Sequence, residues 1–176
     1  MSARSDDDIY ATVRTLLGLH GGDRRVGAFV RGHRGKLPSF AAGSGFASAD
    51  LRRIGVRLLF WVGWGKGGPV GSYAVKSGTL VEAQFFQEGI ERYHAFAGAL
   101  PRGLHVDMSR DELTAALGAP SEVCDCGQEP PCFFAWHVRE FDAPLEAHVT
   151  HHAKHKGRTR PRAGRVDICV HLPRVE

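Results

Sequence analysis

Residues 109–120, SRDELTAALGAP, specify a helix that is started and stopped within about two turns, and this most restricts what the chain can fold into. Ser109 and Glu112 have the S-x-x-E spacing of a capping box, in which the Ser hydroxyl accepts the third helical amide and the Glu reaches back to the amide of the cap. Met108 and Leu113 stand where a hydrophobic staple would fix the entry angle. Gly118 permits a left-handed terminator and Pro120 forbids resumption. A helix this short is not stable alone, so Leu113, Ala116 and Leu117 require another surface to cover them.

That surface is expected to be a sheet. Leu145, Ala147 and Val149 alternate with Glu146, His148 and Thr150. Val166, Ile168, Val170 and Leu172 alternate with Asp167, Cys169 and His171. Period-two alternation is the mark of a half-buried strand. Cys132 to Val138, CFFAWHV, is aromatic and strand-prone. The first half shows a similar order. Ser5 and Asp8 form a weaker capping pair, Ile9, Val13, Leu16 and Leu17 fall at helical spacing, and Gly18 ends the run. Strands are then expected at Arg25–Gly32, Arg53–Val62 and Thr79–Phe86, with Gly-rich loops at Gly35–Ser48 and Gly63–Gly78.

The predicted class is therefore α+β. Two helix-plus-three-strand units, residues 5–86 and 106–173 joined by 87–105, form a mainly antiparallel sheet with short helices on one face. At 176 residues one domain with one core is the default.

Charge is localised. The chain carries 23 Lys and Arg against 19 Asp and Glu, and six of the basic residues fall in His151–Arg165, HHAKHKGRTRPRAGR, with no acid among them. The hairpin connection thus makes an otherwise slightly acidic chain basic. Nucleic-acid binding through this loop is one reading, although the aromatics expected of a single-strand binder are not interleaved there. No apolar run reaches the ~20 residues of a membrane span. The N-terminus, MSARSDDDIY, has aspartates where a signal peptide has its apolar core; it is read as cytoplasmic.

Among chemical motifs, Cys124, Cys126 and Cys132 lie within nine residues, and His137, His148 or Cys169 could complete a zinc set. C-x-C-x5-C is not a standard knuckle spacing, so reduced thiols or a Cys124–Cys132 bridge stand beside structural zinc as alternatives. The expectation is no cofactor and no metal needed for folding. His151, His152 and His155 are interspersed with Lys154 and Lys156, which disfavour a dication. GWGKGG lacks the Ser or Thr of a phosphate loop, and AGSGF around Ser44 lacks the flanking glycines of a nucleophile elbow. No nucleophile or acid–base pair is complete, and the chain is read as a non-enzyme. An enzyme would require a deep polar pocket uniting His94, His105 or His137 with a carboxylate.

The consecutive aromatics Phe60-Trp61, Phe85-Phe86 and Phe133-Phe134 place one ring on each side of a sheet. With helices on one face only, the outward rings have no cover and point to a protein partner. The candidate contact residues are Trp61, Trp64, Phe86 and Phe133, with Lys154, Lys156, Arg158, Arg160 and Arg162 steering an acidic partner.

Tyr93, Phe96, Gly98, Leu100-Pro101, Gly103-Leu104, Met108-Ser109-Arg110, Glu112-Leu113 and Leu117-Gly118-Ala119-Pro120 resemble the (Y/F)-x-G-x-LP-x-GL…MSR-x-E…LG-x-P pattern of small bacterial proteins, some similar to immunity proteins of polymorphic toxin systems. The MSR-x-E…LG-x-P half also resembles the BamE-like (SmpA/OmlA) module and, more distantly, the repeats of β-lactamase inhibitor proteins. The resemblance implies short helices on an antiparallel sheet and a cognate toxin or other protein as partner. BamE-like lipoproteins have a lipidated export signal that the N-terminus here lacks, so the immunity-type function is the one expected.

Overall fold

The computed structural model describes residues 9–38, 45–61, 78–124, 131–152 and 165–172. Among them the fold is α+β, with three α-helices and a seven-stranded antiparallel sheet. The Ser5–Asp8 capping pair, Ser44, Trp64, the GWGKGG loop, Cys126 and residues 153–164 lie outside the described residues.

Helix α1, Ile9–Leu16, buries Ile9, Tyr10, Val13 and Leu16, the stripe its spacing implies. Gly18, at φ +87°, ends it. The Gly18 amide donates to the Leu80 carbonyl at 2.8 Å, so the helix exit is tied to the sheet.

Helix α2, Arg24–Gly32, replaces the expected strand at Arg25–Gly32. Its Val and Phe residues favour strand locally, but Val26 and Val30, both fully buried, are also one helical turn apart. The Asp23 carboxylate accepts the Arg25 amide at 2.8 Å and caps the helix. Cap and i, i+4 burial together outweigh the residue preferences.

Strands β1 (Phe46–Leu51), β2 (Val56–Trp61) and β3 (Thr79–Phe86) form one meander. β1 lies partly inside the segment expected to be a Gly-rich loop. A 3-10 turn at Arg52–Ile54 and Gly55 join it to β2. The second group comprises β4 (Glu122–Val123), β5 (Phe133–Asp142), β6 (Leu145–His152) and β7 (Arg165–His171). The sheet order is β1-β2-β3-β7-β6-β5-β4, so the last strands of the two groups pair at its centre. The halves thus hold two helices with three strands and one helix with four, not two equal units.

Helix α3, Arg110–Leu117, is built as its sequence specifies. The Ser109 amide donates to Glu112 Oε2 at 2.7 Å and the Glu112 amide donates to Ser109 Oγ at 3.3 Å. Leu113 is fully buried and Met108 packs against the same core. Gly118 departs in detail from a left-handed terminator: φ 84° with ψ −162° combines positive φ with an extended ψ, a region essentially restricted to glycine. Its carbonyl accepts the Trp136 indole N–H at 2.9 Å, which anchors the helix end to β5.

One hydrophobic cluster contains residues of all three helices and of the facing side of the sheet, including Phe60, Phe85, Ile168, Val149 and Trp136. The Tyr10 ring lies 6.0 Å from that of Phe85, and Arg110 sits over Phe134. α1 and α3 therefore pack on the same sheet face, and strand alternation sends the polar set of every strand to the other.

Candidate partner-binding face

The opposite face is a cross-strand array set by register. One row runs His137, His148, Cys169, Gln84, Arg57, Asp50, each the direct partner of the next. A parallel row runs Glu146, His171, Glu82, Leu59, Ser48. These are the residues that alternate with the core positions, so a period of two produces a greasy side and a polar side at once.

One corner is closed. The Arg57 guanidinium donates to Asp50 Oδ1 at 3.0 Å and to Gln84 Oε1 at 3.5 Å, and pairs with Glu91. It lies over the rings of Phe86 and Tyr93, 5.4 and 5.5 Å from their centroids. Burial alone would disfavour the Arg57 charge, but hydrogen bonds to Glu91 and Asp50 outweigh it and raise the pKa. Burial likewise opposes ionisation of Asp50, yet the neighbouring Tyr93 hydroxyl and the hydrogen bond from Arg57 hold its carboxyl below the usual range. Glu91 and Arg92, at φ 46° and 67°, bend the chain tightly enough to bring Ile90 and Tyr93 onto Phe86.

This corner corrects one expectation. Phe86 does face away from the helices, but it is only 2% exposed because the Ile90–Tyr93 turn covers it. The other pairs divide as alternation requires. Phe60 is buried while Trp61 is 45% exposed, and Phe134 is buried while Phe133 is half-buried. The cross-strand partner of Trp61 is Phe46, 62% exposed, which the sequence reading missed. Its strand carries little signal in the sequence, because FASADL puts only Ala47 and Ala49 on the inward side before Leu51 and an apolar ring, Phe46, on the outward side.

Next to Trp61 the face is concave. A depression of about 270 Å³ is lined by Trp61, Val81, Glu82, Gln84, His148, Cys169, His171 and Leu172. Gln84 Nε2 donates to Glu82 Oε1 at 2.7 Å. The His148 ring stacks on His137 with centroids 4.4 Å apart, and His148 Nε2 is buried with no hydrogen-bond partner. Burial, followed by the neighbouring His137, pushes the His148 pKa down.

Of the histidines that an enzyme would require, His94 approaches Glu88 at 3.6 Å and His137 approaches Glu122 at 2.9 Å, in both cases with largely exposed side chains and outside the depression. Cys124 and Cys132 are joined as a disulfide, which takes both from any metal set. Among the described residues no three His, Cys, Asp or Glu side chains are grouped to hold a metal ion. No described helix is long and apolar enough to cross a membrane. The steering residues Lys154, Lys156, Arg158, Arg160 and Arg162 fall outside the described residues; their segment joins His152 to Arg165, at the end of β6 and β7 remote from Glu146 and His171.

No protein-family model, no curated protein and no solved structure matches the chain.

Proposed function

We propose that this chain is a non-enzymatic protein-binding module, an immunity-type protein that binds and neutralises a cognate bacterial toxin through the sheet face its helices leave open. The observation that carries the reading is the one-sided placement of the helices, with Trp61 and Phe46 exposed side by side at the edge of the polar face. Exposed aromatics beside a polar rim are the usual anchors of protein recognition. Trp64 and Phe133 belong to the same proposed contact surface, and Lys154 to Arg162 steer an acidic region of the partner toward it. The pattern around Leu100-Pro101 and Leu117–Pro120 agrees with this role.

The test is genetic and biophysical. The product of the adjacent reading frame should be toxic when expressed alone, and co-expression of this chain should restore growth. Replacing Phe46 and Trp61 together by Ala should weaken the complex, and reversing charges from Lys154 to Arg162 should slow association more than it changes dissociation. A neighbour that is harmless, or toxic but neither bound nor neutralised, removes the proposal.

A further inference from the structure

We propose that the depression beside Trp61 is a guanidinium pocket that takes one arginine side chain of the bound partner. The inference rests on the partner-binding reading of this face and adds the chemistry that the partner must present.

Charge supplies the first argument. Among the described residues, Glu82 is the sole formally charged side chain lining the depression when its imidazoles are neutral. Among the described residues no Lys or Arg nitrogen pairs with Glu82; the nearby Arg57 is engaged by Asp50 and Glu91. Gln84 bridges the two, accepting from Arg57 and donating to Glu82, and so orients the carboxylate while leaving Oε2 available. A half-buried carboxylate with no cation beside it favours a cationic guest.

Hydrogen-bonding capacity supplies the second. His171 Nδ1 lies 3.0 Å from the Leu172 carbonyl, which can only accept, so the proton is on Nδ1 and Nε2 of the neutral ring is an acceptor. His148 Nε2, buried and unpartnered, adds another ring nitrogen in want of a partner. Acceptors on the directly paired residues Glu82 and His171 suit a planar guanidinium with its five donors better than an ammonium with three.

The walls supply the third. The Trp61 ring offers a face for cation–π contact, and Val81 and Leu172 are aliphatic. Such walls suit an organic cation on an alkyl stem, and among the described residues no three His, Cys, Asp or Glu side chains are grouped to hold a bare metal ion. The volume is below the roughly 300–1,000 Å³ of whole small-molecule sites and suits a single side chain.

The probe is Nα-acetyl-arginine amide, titrated into the isotope-labelled full chain while the Trp61 indole resonance is followed by NMR. A saturable shift is expected. Nα-acetyl-citrulline amide, which keeps the shape and loses the charge, should bind about tenfold more weakly or worse, and Glu82→Gln should weaken the arginine probe by a similar factor at an unchanged thermal midpoint. Trp61→Leu, followed through backbone resonances, provides a second loss-of-binding variant. Equal binding of the two probes, or no saturable shift, overturns the proposal. Free arginine binding about tenfold tighter than the blocked amide would assign the pocket to a free metabolite and overturn the partner's side chain as occupant. These outcomes are independent of growth rescue, so failure of the immunity reading and failure of the pocket are told apart.

Discussion

The Tyr10 hydroxyl donates to Asp142 Oδ2 at 3.0 Å, joining the first helix to the end of β5 across 132 positions of sequence. Arg14 Nε meets the same oxygen at 2.7 Å. α1 is therefore pinned to the first meander by Gly18 and to the second by Tyr10, and it clasps the two halves of the sheet. Tyr10→Phe should cost about 1 kcal/mol, measured by urea unfolding. Burial and the Asp142 hydrogen bond raise the Tyr10 pKa above its ordinary value, and burial beside the Asp50 carboxylate does the same for Tyr93. An acid whose folded pKa is raised keeps the native state protonated after the unfolded chain has ionised, so its stabilisation is complete below pH ~10 and is lost as pH rises further. Midpoints should fall above pH ~10, and less steeply in Tyr10→Phe.

On the acid side the sign is opposite in cause and the same in result. Burial depresses the pKa of His148 and of His151, with His137 and His152 respectively adding repulsion. A base with a lowered folded pKa stabilises fully above the unfolded value of about 6.5, and that contribution is lost as the unfolded chain takes up protons below it. Stability should decline from about pH 6.5 downward, and His148→Gln should flatten the slope. An unchanged slope would mean that His148 is solvated as in the unfolded chain.

Gly55 should not tolerate a side chain. At φ +66° an added Cβ would stand 2.4 Å from the Phe96 amide nitrogen and 2.6 Å from the His94 carbonyl oxygen. Gly55→Ala should therefore destabilise well beyond the ~1–2 kcal/mol of left-handed strain alone. Gly103, at φ +68° with open space around it, is the matched control, and Gly103→Ala should show that strain and little more. Equal losses at the two sites would show that the 93–98 segment yields readily.

Ser109→Ala should cost about 1 kcal/mol through loss of the α3 cap. Since α3 covers β5 by way of Leu113 and the Gly118–Trp136 bond, the loss should also speed hydrogen exchange along α3. A variant with wild-type stability would show the cap to be dispensable.

Two of the four cysteines, Cys124 and Cys132, are paired. Alkylation of the denatured chain should modify two fewer cysteines without reductant than after reduction. No difference would mean that the pair is held reduced where the protein is made, as a glutathione-buffered compartment enforces. Chelator treatment should leave the unfolding midpoint unchanged.

The sequence by itself determined whatever depends on neighbours three or four residues away, or on strict alternation. α3 is the clearest case, because its cap, its acidic first turn and its glycine stop all act within one segment. β6 and β7 were equally legible, and so was the division of Phe60 from Trp61 between the two sides of the sheet. Only the tertiary structure decided α2, where Val26 and Val30 satisfy either period and the choice fell to the core they meet. The same holds for β1, whose inward residues Ala47 and Ala49 are too small to declare a strand until β2 lies alongside. Phe86 was given its side by alternation but its cover by Arg57 and Tyr93, residues 29 positions before and seven after it. The pocket is the extreme case. Trp61, Glu82, His148 and His171 come from four strands, and only the β3·β7 pairing at the centre of the sheet brings them to one depression. Pairing between distant strands depends on the whole core closing at once, and no single window of sequence contains that free energy.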